Sequence, residues 1–149
     1  MEERTPILSV KDLVVNYGAI QALKGASLDV YAGEIVAVIG ANGAGKSTMM
    51  NAIMGDVPRA SGEILLDGKL LPHKSYQVVS AGISLSPEGR KVFAPLTVLE
   101  NLDMGAFPLS DRSQIEKQKE EVFQLFPRLL ERKNQYAGTL SGGEQQMLA

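Results

Sequence analysis

Residues 40–48 read Gly-Ala-Asn-Gly-Ala-Gly-Lys-Ser-Thr and stand directly behind the apolar run Ile35-Val36-Ala37-Val38-Ile39. The spacing Gly40-x4-Gly45-Lys46-Ser47 fits the Walker A pattern, which requires a strand, a tight loop and a helix start in that order. An uninterrupted apolar run is what a strand covered on both faces of a parallel sheet looks like. The glycines let the backbone adopt conformations closed to other residues and let a ligand come close to it. The loop amides then turn inward as an anion nest, and the helix opening near Lys46 adds its positive dipole end. Lys46 offers a point charge to terminal phosphates and Ser47 a hydroxyl to Mg²⁺. A glycine-rich turn alone marks only a loop. With a strand before it and a helix after it, this one points to a polyphosphate nucleotide.

The rest of the composition narrows the surroundings. A chain of 149 residues is the length of one domain. The net charge of −2 gives no basic face for nucleic acid. Cysteine is absent, which excludes disulfides and thiolate metal sites. The opening Met-Glu-Glu-Arg-Thr-Pro is acidic and polar, unlike a signal peptide. No apolar run approaches membrane-spanning length, so membrane association is expected through a partner.

Along the chain, residues 8–17 carry apolar residues at strand density. Ala26, Leu28 and Val30 alternate with Ser27, Asp29 and Tyr31 as in a half-buried strand. A helix is expected over 46–54, with Gly55 at its C-terminal cap. A strand over 62–66 should turn at Asp67-Gly68, a short helix should cover 73–81, and a brief strand 83–85. Helical spacing returns over 98–106 and 113–126, where Ile115, Val122, Leu125 and Phe126 can share a face. The charged residues 114–121 read as a solvated helix face, and Pro127 should end that helix. Strands first and helices later suggest a nucleotide-binding sheet followed by a mostly helical subdomain.

A second motif chooses among nucleotide enzymes. Leu140-Ser141-Gly142-Gly143-Glu144-Gln145 contains Ser141 followed three residues later by Glu144, a capping box that starts a helix. Two glycines in a first helical turn cost about 0.8–1 kcal/mol each against alanine. They make sense where something must approach the backbone closely. A helix start with bare amides and a Ser hydroxyl is a second phosphate receptor. Either one phosphate meets both elements, or two nucleotides are shared between two chains.

Walker A followed by this second segment resembles the ATP-binding cassette (ABC) ATPases, whose signature the second segment matches. The resemblance covers nearly the whole chain and implies an α/β fold, the P-loop NTPase ABC-type ATP-binding domain. That is a RecA-like core with a β-rich N-terminal part and a helical subdomain, here incomplete at its C-terminus. It divides the chain into a nucleotide-binding core at 1–85, a Q-loop region at 86–97 and a helical subdomain at 98–149. It implies ATP and Mg²⁺ as ligands. Nucleotide contacts fall on Tyr17, as the aromatic platform for adenine, and on Gly40, Asn42, Gly43, Ala44, Gly45, Lys46, Ser47 and Thr48, with Lys46 also catalytic. The signature residues Leu140, Ser141, Gly142, Gly143, Glu144 and Gln145 would close over ATP bound by a second ABC subunit in a head-to-tail dimer.

Ser86-Pro87-Glu88-Gly89-Arg90 falls where the family has its Q-loop, with Glu88 in place of the usual Gln. A carboxylate can ligate Mg²⁺ beside Ser47, while adding negative charge next to the phosphates. Phe93 is either an anchor for its loop or, by resemblance, a contact near the groove for a permease. Residues 17–25, 87–93 with 96–102, and 125–129 resemble more narrowly the ATP-binding subunits of branched-chain amino-acid importers. The partners implied are transmembrane permease subunits and, indirectly, a periplasmic substrate-binding protein, with no nucleic acid. The place implied is the cytoplasmic face of the inner membrane, peripherally bound.

The family continues past its signature to a Walker B strand ending in Asp-Glu and to a switch His. No Asp-Glu pair occurs here, and the one histidine, His73, reads as a surface residue. A C-terminally truncated product is therefore expected, with residues 35–39 left as an unpaired apolar edge. It should lack ATPase activity of its own and dissolve poorly. A soluble ABC protein of DNA repair or translation would need basic surfaces or a second cassette. A nucleotide-binding module without turnover would unfold in one transition that ATP shifts upward. A kinase or GTPase leaves the Ser141–Glu144 segment without a role.

Overall fold

The computed structural model describes residues 4–149; residues 1–3, part of the acidic N-terminus, lie outside them. The chain divides into two compact units at Leu85/Ser86.

The first unit is built on a long hairpin. Strand β1 (Leu8–Tyr17) pairs antiparallel with β2 (Ile20–Val30) through a turn at Gly18. On its other side β1 pairs with β3 (Ser61–Leu66), which folds back on the two-residue β4 (Lys69–Leu70), giving the order β2-β1-β3-β4. The β3–β4 turn is the expected Asp67-Gly68 pair, both residues with positive φ, as a two-residue hairpin of this hand requires. The register of β1 slips between Lys11 and Val14. There the carbonyls of Lys11 and Asp12 pass so close to Gly62 that a Cβ on it would lie 2.6 and 2.5 Å away. Helix α1 (Lys46–Ile53) and the short α2 (Ser75–Ser80) complete the unit. Its core joins Val10, Leu13, Val15 and Ile64 of the sheet to Met49, Ala52 and Ile53 of α1 and Val78 of α2. Gly55 follows α1 with φ 76, as its capping role requires.

Two expectations fail here. Residues 35–39 form no strand, and residues 83–85 form none either. A strand exists by the ladder it joins, and no described residue pairs with either segment. Ile35 and Ile39 are left 98% and 92% exposed. The sheet present among the described residues is wholly antiparallel, so the parallel sheet anticipated around residue 37 is not formed. In the other direction, β2 begins at Ile20, well before the alternation at 26–31 that announced it.

The second unit is helical. Helix α3 (Val98–Gly105) starts on a full capping box between Thr97 and Glu100. Helix α4 (Arg112–Leu125) starts on Asp111, whose carboxylate accepts the Ser113 amide. Phe126 breaks the helical geometry before Pro127 opens α5 (Pro127–Glu131), so proline ends one helix by beginning another. A 3₁₀ turn (Ala137–Thr139) leads into α6 (Gly142–Leu148). Val98, Leu129, Ala137 and Leu140 form the core, with Val122 and Phe126 packed against it. Leu125 does not share that face; it is 71% exposed. Phe93 is exposed too, so it is no core anchor; its backbone is held instead by the Asn101 side chain, which accepts from its amide and donates to its carbonyl.

Candidate functional site: a phosphate loop and a glycine-opened helix

The loop before α1 is shaped by contacts on both sides. Gly45, its N-cap, has φ 91, and no side chain caps the helix, so its first amides stay open. A Cβ on Gly45 would lie 2.8 Å from the Ala22 carbonyl and 2.7 Å from Leu23 Cδ2, which is why β2 can run this close only to glycine. Gly43 also has positive φ but faces open space. Gly40 is not left-handed; a Cβ there would press on Ala44 at 3.1 Å. The Ala44 amide closes the turn onto the Ala41 carbonyl, and Asn42 is exposed at the tip.

Lys46 folds back over its own loop. Its ammonium donates to the Gly40 carbonyl at 2.7 Å and the Ala41 carbonyl at 2.8 Å. An ammonium has three donors, so one N–H remains, carried on a group already fixed at the loop mouth. The Ser47 and Thr48 hydroxyls make no hydrogen bond among the described residues, and Ser47 is exposed. A hard oxygen without a protein partner, next to a phosphate nest, fits Mg²⁺, which takes few protein ligands and completes its shell with phosphate and water. Beside the loop lies an open groove of about 610 Å³ between residues 20–26 of β2 and Gly43 and Ala44. That size falls in the range of small-ligand sites. Tyr17 ends β1 just before the groove begins and is half exposed.

In the helical unit the anticipated capping box is formed. The Glu144 carboxylate accepts the Ser141 amide at 2.9 Å, and the Ser141 hydroxyl oxygen accepts the Glu144 amide at 3.4 Å. Leu140 is buried just ahead of the turn, and Gln145 donates to the Ala137 carbonyl at 3.0 Å. The two glycines differ. Gly143 meets nothing within 4 Å of a built Cβ, whereas Gly142 has the Arg90 guanidinium against it, with Nη1 2.5 Å from that position. Close approach to Gly142 thus comes from the chain itself, while Gly143 is open to a ligand. Glu88, Gly89 and Arg90 line an open cavity of about 530 Å³ with Gln145 and Gln146. Within this unit, therefore, Glu88 lies beside α6.

The Glu144 carboxyl is held below the usual carboxylate range, first by the Ser141 amide, then by the Ser141 hydroxyl. Burial opposes this, and the charges of Arg132 and Arg128 assist it. Arg132 Nε stands 3.1 Å from Glu144 Oε1. Sequence reasoning missed this ion pair and the Arg90–Gly142 contact, for neither has a local pattern. It also missed the Thr97 cap, although Thr-x-x-Glu before an apolar run announces one. His73 is exposed, as expected; its Nδ1 lies 3.0 Å from Arg59 Nη2.

Residues 23–149 match the family model described as ABC transporter. The chain belongs to the ABC transporter family. It is 49% identical, over 96% of its own length and 61% of the relative's, to the high-affinity branched-chain amino acid transport ATP-binding protein BraG of Pseudomonas aeruginosa. It is 38% identical, over 97% of its length and 60% of the relative's, to the fructose import ATP-binding protein FrcA of Rhizobium meliloti. Among solved structures, an ATP binding subunit of an ABC transporter superposes with a TM-score of 0.84 at 30% identity, covering 95% of this chain and 59% of that one. These likenesses bear out the ABC-type α/β fold. The chain spans about 60% of the length of the curated relatives it matches. Among the described residues no helix is long and apolar enough to cross a membrane.

Proposed function

We propose that the chain is the nucleotide-binding part of an ABC importer's energy-coupling subunit, taking ATP with Mg²⁺. The observation that carries this reading is the Lys46 ammonium, tethered to two loop carbonyls with one N–H to spare above a nest of open amides. In this proposal, residues up to 85 form the nucleotide core, with Gly40, Asn42, Gly43, Ala44, Gly45, Lys46, Ser47 and Thr48 around the phosphates. Tyr17 serves as the adenine platform. Residues 86–97 form the Q-loop region. Residues 98–149 present the signature, Leu140 to Gln145, to ATP held by a second copy. Mg²⁺ would be held by Ser47 together with phosphate oxygens, assisted by Glu88, and would neutralise phosphate charge.

Branched-chain amino acids are the transported class we favour, supported by the relative from Pseudomonas aeruginosa, whereas the Rhizobium relative carries a sugar importer's name. Permease subunits, a periplasmic binding protein and the cytoplasmic face of the membrane belong to the same proposal. Hydrolysis is proposed of the whole protein. The 149-residue polypeptide carries no Asp-Glu pair and is expected to bind ATP without turnover. Measurable, Lys46-dependent hydrolysis by that polypeptide would contradict this.

The test of nucleotide binding is an ATP titration of Lys46→Ala against the wild-type chain by calorimetry. Losing a charge-assisted hydrogen bond costs about 1.5–3 kcal/mol, roughly ten- to hundredfold in affinity. An unchanged affinity overturns the assignment.

A further inference from the structure

Glu144 is the one charged side chain buried among the described residues, 9% exposed. A buried carboxylate must have both its charge and its lone pairs answered. One oxygen, Oε2, is answered by the Ser141 amide. The other, Oε1, has Arg132 Nε at 3.1 Å. That Nε is itself buried and makes no aligned hydrogen bond, so the pair is held by charge at short range and not by a directed bond.

Arg132 is fixed from its far side. Its Nη1 donates to Gln135 Oε1 at 3.2 Å. Gln135 Nε2 in turn donates to Thr139 Oγ1 at 2.8 Å, and that hydroxyl donates to the Tyr136 carbonyl at 2.7 Å. The sequence of contacts is a ring: from Arg132 through Gln135 and Thr139, along the chain to Ser141, through Glu144 and back to Arg132. Every member lies between the end of α5 and the first turn of α6.

We propose that Arg132 is a positioning residue for the signature turn. Through the Glu144 carboxylate it holds the Ser141 hydroxyl and the opening amides of α6 in the arrangement that receives a phosphate from the second copy. This rests on the reading of residues 140–145 given above. A turn carrying two glycines has little stiffness of its own. An anchored guanidinium supplies the stiffness from outside, and it does so without occupying the open side at Gly143. Arg132 is not among residues 40–48, which make up the phosphate loop.

The experiment follows ATP-dependent dimerisation of the 149-residue chain by analytical ultracentrifugation, beside ATP affinity by calorimetry and amide hydrogen exchange at Ser141 and Glu144. The variants are Arg132→Gln, Arg132→Lys and Ser141→Ala. Arg132→Gln should weaken dimerisation about tenfold or more, the scale of one charge-assisted contact. It should speed exchange at both amides and leave ATP affinity unchanged. Arg132→Lys, which keeps the charge, should recover most of the loss; a residue that merely fills space would not be rescued by charge. If Arg132→Gln does not fold, the double variant Arg132→Gln/Glu144→Gln, which strands no carboxylate, takes its place with the same expected loss. Wild-type dimerisation in the Arg132→Gln chain, or in that double variant where it stands in, together with its loss in Ser141→Ala, overturns this inference and leaves the signature reading standing. Wild-type dimerisation in Ser141→Ala, or no ATP-dependent dimer at all, overturns that reading and this inference with it.

Discussion

Gly45→Ala tests the geometry of the phosphate loop more directly than any change to a polar group. Two costs add at this position. With φ 91, the backbone is left-handed, which an L side chain adopts at about 1–2 kcal/mol. The new methyl would also stand 2.7 Å from Leu23 Cδ2 and 2.8 Å from the Ala22 carbonyl, whereas carbon contacts are comfortable at about 3.5–4.0 Å. Leu23 is a core residue, and the carbonyl belongs to a paired strand, so neither yields freely. Overpacking of this kind costs about 1–3 kcal/mol. The sum is about 2–5 kcal/mol. With a urea slope of about 1–3 kcal/mol per molar, the unfolding midpoint should fall by about 0.7 M or more. Gly43→Ala is the control: φ is 81 there, but a methyl meets nothing within 4 Å, so only the backbone cost of about 1–2 kcal/mol applies. The chain has no tryptophan, so far-UV circular dichroism is the probe. The difference between the two variants isolates the approach of β2 to the loop. If Gly45→Ala and Gly43→Ala prove equally stable, that close approach is not a property of the protein, and the stated reason for glycine at 45 is wrong.

Other consequences can be measured alongside it. The Glu144 carboxyl is depressed in the folded chain, so its contribution to stability is present above the ordinary carboxylate value of about 4.3 and disappears as pH falls through the lower folded value. Glu100, capped in the same way by Thr97, behaves alike. Urea midpoints taken from pH 5 down to 3 should therefore fall less steeply in Glu144→Gln than in the wild type, and equal slopes would refute the assignment. Residues 35–39 expose an uncharged, β-branched stretch, a composition prone to intermolecular pairing. Ile39→Lys should raise the soluble concentration of the 149-residue chain while moving its unfolding midpoint by no more than about 0.5 kcal/mol equivalent. Unaltered solubility would remove that segment as the cause of association.

How far the sequence could be read depended on the distance over which each feature is decided. The capping box at Ser141, the Asp67-Gly68 turn and the glycine after α1 are settled within a few residues, and all stand where local chemistry put them. The phosphate loop is local as well, yet only the structure gives the second reason for Gly45, a neighbouring strand from elsewhere in the chain. Residues 35–39 show the opposite limit. Their apolar composition encodes a preference for strand, but a preference becomes a strand only when another segment supplies the ladder. Leu125 is a subtler case: helical spacing allowed it beside Val122 and Phe126, but the core takes the i, i+4 pair Val122 and Phe126, and Leu125, on the other side of Val122 around α4, falls on the exposed edge of that stripe. The site itself divides in the same way. That glycines at 142 and 143 admit a close neighbour follows from residue type alone. That Arg90 fills one of those places and leaves the other open follows from a loop lying far back in the sequence. Identical residues in adjacent positions thus meet unlike surroundings: Gly142 is filled from within the chain, and the side at Gly143 is left bare.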